Sequence, residues 1–136
     1  MVTGEAACSC GQLRVRVDGE PVRLSVCHCL ACQRRTGSAF AVQARFQVDD
    51  ARIEGEHKEF VRLSDKGYRV TFSFCPNCGG TVFYTAEQAP EILAVPVGAF
   101  ADPSFPAPAV SVWEKRRHEW VDLTGLPAES RHREDD

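Results

Sequence analysis

The sequence predicts a mainly β domain with one short helix, built around cysteine clusters. Three observations carry that expectation. Apolar residues alternate at a period of two along most of the chain, and the alternating runs are short and separated by Gly, Pro or Asp/Lys/Gly breaks. The single stretch with a helical reading is ACQRRTG. Alternation puts every second side chain on one face, which is the pattern of a half-buried strand.

The elements follow in order. QLRVRVDGEP sets Leu13, Val15 and Val17 against Arg14, Arg16 and Asp18, then reaches a turn. VRLSV (22–26) repeats the alternation and runs straight into Cys27. ACQRRTG gives about two helical turns before Gly37 ends it. SAFAVQARF (38–46) places Phe40, Val42, Ala44 and Phe46 on one side. KEFVRL, YRVTFSF, GGTVFYT and EILAVPVGAF continue the strand series, and VSVW (110–113) is the last strand. The proline-rich ADPSFPAPA (101–109) leads into it as a loop. From Thr124 the chain reads TGLPAESRHREDD, polar and without apolar periodicity, so the expected organisation is a domain over 1–123 and a disordered tail over 124–136.

The 136 residues are 43% hydrophobic and 26% charged, with a net charge of −3, so the bulk balance calls for neither nucleic acid nor an anionic membrane. No apolar run approaches the roughly 20 residues that span a bilayer. MVTGEAACSC shows neither a basic leader region nor an apolar one, so the expected location is cytoplasmic, where thiols stay reduced.

The seven cysteines fall into short-range groups: Cys8 and Cys10, then Cys27, Cys29 and Cys32, then Cys75 and Cys78. Ligands two or three residues apart can wrap one ion, so this spacing selects a metal over a disulfide framework. FCPNCGG (74–80) is a metal knuckle, with Cys75 and Cys78 across a tight turn and Gly79 and Gly80 allowing close backbone approach. In the extended CSC stretch Cys8 and Cys10 face one way and supply the other half of a closed, structural tetrahedral site.

The trio is different, because no eighth cysteine completes it. Three protein ligands and one open position are the pattern of a catalytic zinc. His28 is an alternative fourth ligand, although strand alternation turns it from the face shared by Cys27 and Cys29; His57 or His118, arriving from a distance, are others. Zinc on three thiolates is electron-rich, a poorer maker of hydroxide and a better partner for a further sulfur. The chemistry therefore points to capture and activation of an exogenous thiol.

CSCG (8–11), CHCLACQRRTGSAF (27–40) and FCPNCGGTVFY (74–84), in that order, resemble the glutathione-dependent formaldehyde-activating (GFA) family, also called the CENP-V/GFA family. VPVGAFADP (95–103) and VSVWEKRRHEWV (110–121) are similar to its closing segments. The resemblance implies a β-tent fold of small antiparallel sheets around two zinc ions per chain. One zinc would be structural, on Cys8, Cys10, Cys75 and Cys78, and the other catalytic, on Cys27, Cys29 and Cys32. It implies condensation of glutathione with formaldehyde to S-(hydroxymethyl)glutathione, a carbon–sulfur lyase activity in the reverse direction. Glutathione carries two carboxylates, so Arg34 and Arg35 on the short helix, or Lys115, Arg116 and Arg117, are candidate substrate contacts. The competing expectation is a non-catalytic zinc-binding module for a protein or nucleic-acid partner. Net charge −3 and the lack of aromatic–basic interleaving argue against nucleic acid.

Overall fold

The computed structural model describes residues 2–134. Ten strands and one α-helix make the described chain mainly β. It folds as two compact units. The first runs to Val22 and resumes over Ala44–Phe105; the second comprises Arg23–Gln43 and the chain from Pro106 onward.

In the first unit, β1 (Val2–Ala7), β2 (Arg14–Gly19) and β5 (Ala51–Glu54) form an antiparallel sheet in the order β1-β2-β5. The alternation of β2 is realised directly. Val15 and Val17 are fully buried, while Arg14 and Arg16 face outward beside Glu5, and Arg14 also meets Glu54. Neither β1 nor β5 belongs to the strand series expected from alternation.

The same unit holds the C-terminal residues of β4 (Ala41–Gln47), then β9 (Ala89–Pro96), β8 (Thr81–Ala86), β7 (Arg69–Phe74) and β6 (Lys58–Leu63), neighbours in that order. β6, β7, β8 and β9 pair antiparallel. Phe72 on β7 stands opposite Tyr84 on β8, with ring centroids 5.0 Å apart, and these rings pack with Val70 and Ala94. Phe46, fully buried, meets Phe100 edge-on, and Phe100 stacks on Phe105. Full burial of a side chain such as Phe46 stabilises the fold by about 1.5–3 kcal/mol.

In the second unit, β3 (Arg23–Cys27) leads into α1 (Leu30–Thr36), followed by the first residues of β4 and later by β10 (Val110–Val112). β10 pairs with β3 in parallel, Ser111 opposite Val26 and Val112 opposite Cys27. Sheet pairing thus includes a parallel pair beside the antiparallel ones. A long connection separates β3 from β10, and only such a connection lets a strand return in the same direction.

Residues 124–134, the described part of the expected tail, make local contacts within the second unit. A short 3-10 turn (Ala128–Ser130) is followed by a bridge between Arg131 and Ser111; His132 N donates to Ser111 O at 2.8 Å, and Glu114 N donates to His132 O at 2.9 Å. Arg131 pairs with the Glu114 carboxylate at 3.0 Å. Polar partners hold this segment, so its contacts leave no trace in apolar periodicity. Asp135 and Asp136 lie outside the described residues. No helix among the described residues is long and apolar enough to cross a membrane.

Candidate metal centres

Cys8 follows β1, Cys10 lies two residues on, and Cys75 and Cys78 occupy the turn between β7 and β8. Their four sulfurs lie within 4.8 Å of one another. The Cys8–Cys10 and Cys10–Cys75 Sγ separations are both 3.6 Å. Four sulfurs at about 2.3 Å from one zinc in a tetrahedron stand about 3.8 Å apart, so this donor set fits zinc closely. The turn closes through Cys75 N to Gly80 O (2.9 Å) and Gly79 N to Cys75 O (2.8 Å), with Gly79 at φ +80°. A side chain at Gly80 would begin 3.3 Å from Cys8 Cβ, so glycine permits the two segments to meet.

Hydrogen-bond donors surround these sulfurs. Leu13 N approaches Cys8 Sγ at 3.3 Å, and Asn77 N and Gln12 Nε2 approach Cys75 Sγ at 3.3 and 3.1 Å. Desolvation pushes the Cys75 thiol up, but donation from Gln12 and from the backbone of Cys78 and Asn77 outweighs it and lowers the pKa to about 6. The Cys78 thiol is lowered by the backbone N–H groups of Gly80 and Cys10. Cys10 has a helpful Gln12 backbone N–H, yet hydrogen bonding to Cys75 and burial carry its thiol up to about 11. Cys75 and Cys78 are thus prepared as thiolates, whereas Cys10 ionises only when a cation balances the charge.

Cys27, Cys29 and Cys32 also bring their sulfurs within 4.8 Å of one another. Cys27 ends β3 and is buried; Cys29 is the N-cap of α1, and its Sγ accepts from Cys32 N at 3.3 Å. Gly37 ends the helix in the left-handed region, its N–H on Gln33 O. Hydrogen bonding to Cys29 and Cys32, with burial, pushes the Cys27 thiol strongly up. The Cys32 thiol is lowered by Cys27, but Cys29 and burial raise it further, leaving a net increase that Arg35 opposes. Three thiols this close, with Cys27 and Cys32 raised, are a donor set suited to a dication, which balances the charge of the sulfurs.

His28, between two members of the trio, is fully buried. Its N–H donates to Val112 O (3.1 Å), its carbonyl accepts from Gln33 Nε2 (2.8 Å), and its ring Nε2 lies 3.0 Å from Ser111 Oγ. His57 packs against Phe83, and His118 Nε2 lies 2.8 Å from Gln33 Oε1. Among the described residues, the two cysteine groups have no histidine in them.

Arg34 is exposed on α1 and Arg35 half-buried. Of the second basic cluster, Lys115 lies over the Trp113 ring and pairs with Glu134, while Arg117 donates to Val121 O. Sequence reading missed Gln12, Gln33, Ser111 and Glu114. Gln12 finds Cys75, Gln33 finds Arg116 and His118, Ser111 finds His28 and Glu114 finds Arg131 across long stretches of chain, and spacing carries no signal for those pairs.

The family described as "Glutathione-dependent formaldehyde-activating enzyme" matches residues 3–116. No curated protein matches the chain. A solved Rhodobacter sphaeroides protein shares the fold at 22% identity, covering 76% of this chain and 97% of its own, with a TM-score of 0.56.

Proposed function

Because the chain belongs to the glutathione-dependent formaldehyde-activating enzyme family, we propose that it is a zinc-dependent, thiol-activating enzyme of the carbon–sulfur lyase class. Its substrate is glutathione or a related small thiol, and its electrophile is formaldehyde or a similar small carbonyl. The observation that carries the reading is the convergence of Cys27, Cys29 and Cys32 as a group of three, distinct from the group of four.

The four-cysteine group is the structural site, and the trio is the reactive one. Zinc held by the trio would lower the pKa of an incoming thiol and balance the charge of the sulfurs around it. Cys29 acts twice, as a trio thiol and as the cap that fixes the first turn of α1. β3 and α1 thereby hold the three sulfurs at fixed spacing. In this reading Arg34, exposed on the same helix, and Arg35 receive carboxylates of the thiol substrate. In the forward direction the substrate sulfur bonds to the carbonyl carbon, and the carbonyl oxygen takes a proton from solvent. The reverse breaks that carbon–sulfur bond and returns thiol and aldehyde.

Calorimetry of the zinc-loaded protein tests the reading. Glutathione should bind with release of about one proton near neutral pH, and Cys29→Ser should abolish the release. S-methylglutathione, which has no thiol proton, should bind much more weakly. Equal binding of both compounds, or of neither, would overturn the reading and favour a non-catalytic zinc-binding module.

A further inference from the structure

Behind the trio, in the same unit, lies a chain of side chains with a fixed hydrogen-bond direction. His28 Nε2 is 3.0 Å from Ser111 Oγ, and Ser111 Oγ is 2.5 Å from Glu114 Oε2. Arg131 Nε reaches both Glu114 oxygens at 3.1 and 3.0 Å. We propose that Glu114, acting through Ser111, fixes His28 in the tautomer that carries its proton on Nε2, and that this fixed ring holds the Cys27–His28–Cys29 segment in the form in which the three thiols converge. Glu114 and Ser111 are positioning residues for the trio, an assignment that rests on the functional reading above.

The direction follows from donor counting. A carboxylate paired with arginine accepts hydrogen bonds and donates none. Ser111 has one hydroxyl proton, and the short contact to Glu114 Oε2 requires it. Ser111 Oγ therefore meets His28 with a lone pair, so Nε2 must be the donor. The other ring nitrogen agrees, since His28 Nδ1 is buried without a partner. A proton there would leave an N–H buried with no acceptor, which folded proteins rarely tolerate; a bare lone pair is the smaller penalty.

The ring matters to the sulfurs because His28 is tied at three points. Its N–H is held by Val112, its carbonyl by Gln33 and its ring by Ser111. The parallel register places Val112 opposite Cys27, so β10 sets the height of the segment. Loss of the ring contact would leave two backbone bonds to hold a dipeptide step that has a thiol on either side.

The test is the zinc-loaded protein with ¹⁵N-labelled histidine. Long-range ¹H–¹⁵N correlation should show His28 protonated on Nε2 in the wild-type protein, and that spectrum alone decides the tautomer. Glu114→Gln keeps the shape but adds a donor. Its amide can donate to Ser111 Oγ, which frees the Ser111 proton for Nε2 and moves the ring proton to Nδ1. A reversed or mixed tautomer is expected, with trio metal affinity, read by competition with a chromophoric chelator, falling about 10- to 100-fold. Ser111→Thr keeps the hydroxyl and should preserve both readouts.

An Nδ1 proton in the wild type, an unchanged tautomer in Glu114→Gln, or a reversed tautomer with unchanged metal affinity would each overturn the proposal. None of these readouts involves glutathione. A failure of thiol binding would sink the enzymatic reading alone, and a wrong tautomer this one alone.

Discussion

Gln12 holds the backbone of Glu56 at both of its polar groups. Gln12 Nε2 donates to Glu56 O at 2.6 Å, Gln12 Oε1 accepts from Glu56 N at 3.0 Å, and the same Nε2 lies 3.1 Å from Cys75 Sγ. One carboxamide thus joins a chain turn to the four-cysteine site. Gln12→Leu should let the Cys75 thiol rise from about 6 toward its ordinary range. Metal affinity of that site should fall about 10- to 100-fold, as is usual for lost outer hydrogen bonds. Thiol reactivity of the metal-free protein against pH, and chelator competition of the loaded one, check the two halves; no change in either would contradict the role.

The turn that Gln12 grips has no room for a side chain. Gly55 has φ +101°, and a Cβ there would fall 2.0 Å from Gln12 O, a backbone atom that cannot swing away. Gly37, at φ +69°, has nothing within 4 Å. Gly37→Ala should cost about 1 kcal/mol as a lost helix cap. Gly55→Ala should cost about 3 kcal/mol or more, since strain and clash add. Urea unfolding of the two zinc-loaded variants gives the comparison, and equal costs would count against the clash.

Elemental analysis of anaerobically purified protein should give two zinc ions per chain, with the trio's ion lost to a chelator first. Cys75→Ser should lower the melting temperature sharply, because its site joins segments 65 residues apart. Cys32→Ser should leave a folded protein with one ion. Equal destabilisation by the two substitutions would refute the division into structural and open sites.

Acid should weaken the anchorage of the C-terminal segment. Burial pushes the Glu114 carboxyl up, but hydrogen bonds from Arg131 and Ser111 outweigh it and hold the carboxyl below its ordinary 4.5. The folded carboxyl therefore binds its proton at lower pH than the unfolded one. Its contribution is fully present above about 4.5 and is lost as pH falls through the folded value. Arg131→Met should lower the melting temperature near neutral pH. The gap in melting temperature between wild type and variant should narrow below pH 4.5; a constant gap would show that Glu114 does not titrate this way.

The strands that sequence made legible are those with buried alternating faces, such as β2 with Val15 and Val17 and β7 with Val70 and Phe72. β1 buries Ala6 alone, and β5 is mostly exposed, so neither offers the apolar contrast that alternation needs. The cysteine pairs and the trio were legible because their members sit two or three residues apart in sequence. The side chains that orient them were not, since Gln12 finds Cys75, and His28 finds Ser111, across stretches that no local pattern records. The parallel partner of β3 was hidden for the same reason, as β10 offers three residues and no signal of direction.

The two cysteine groups also differ in when they can exist. Cys27, Cys29 and Cys32 emerge from a ribosome almost together, so their site can load as soon as that loop is free. Cys10 must wait for Cys75, 65 positions later, which at typical elongation speeds of about 5–20 residues per second is a delay of roughly 3 to 13 s. During that interval a nascent chain exposes the first cysteine pair with half a coordination shell, open to oxidants and to competing soft metals. Expression in copper-rich or oxidising medium should therefore damage the Cys8–Cys10 end of the molecule before the trio, although the trio is the site expected to lose its ion first once folding is complete.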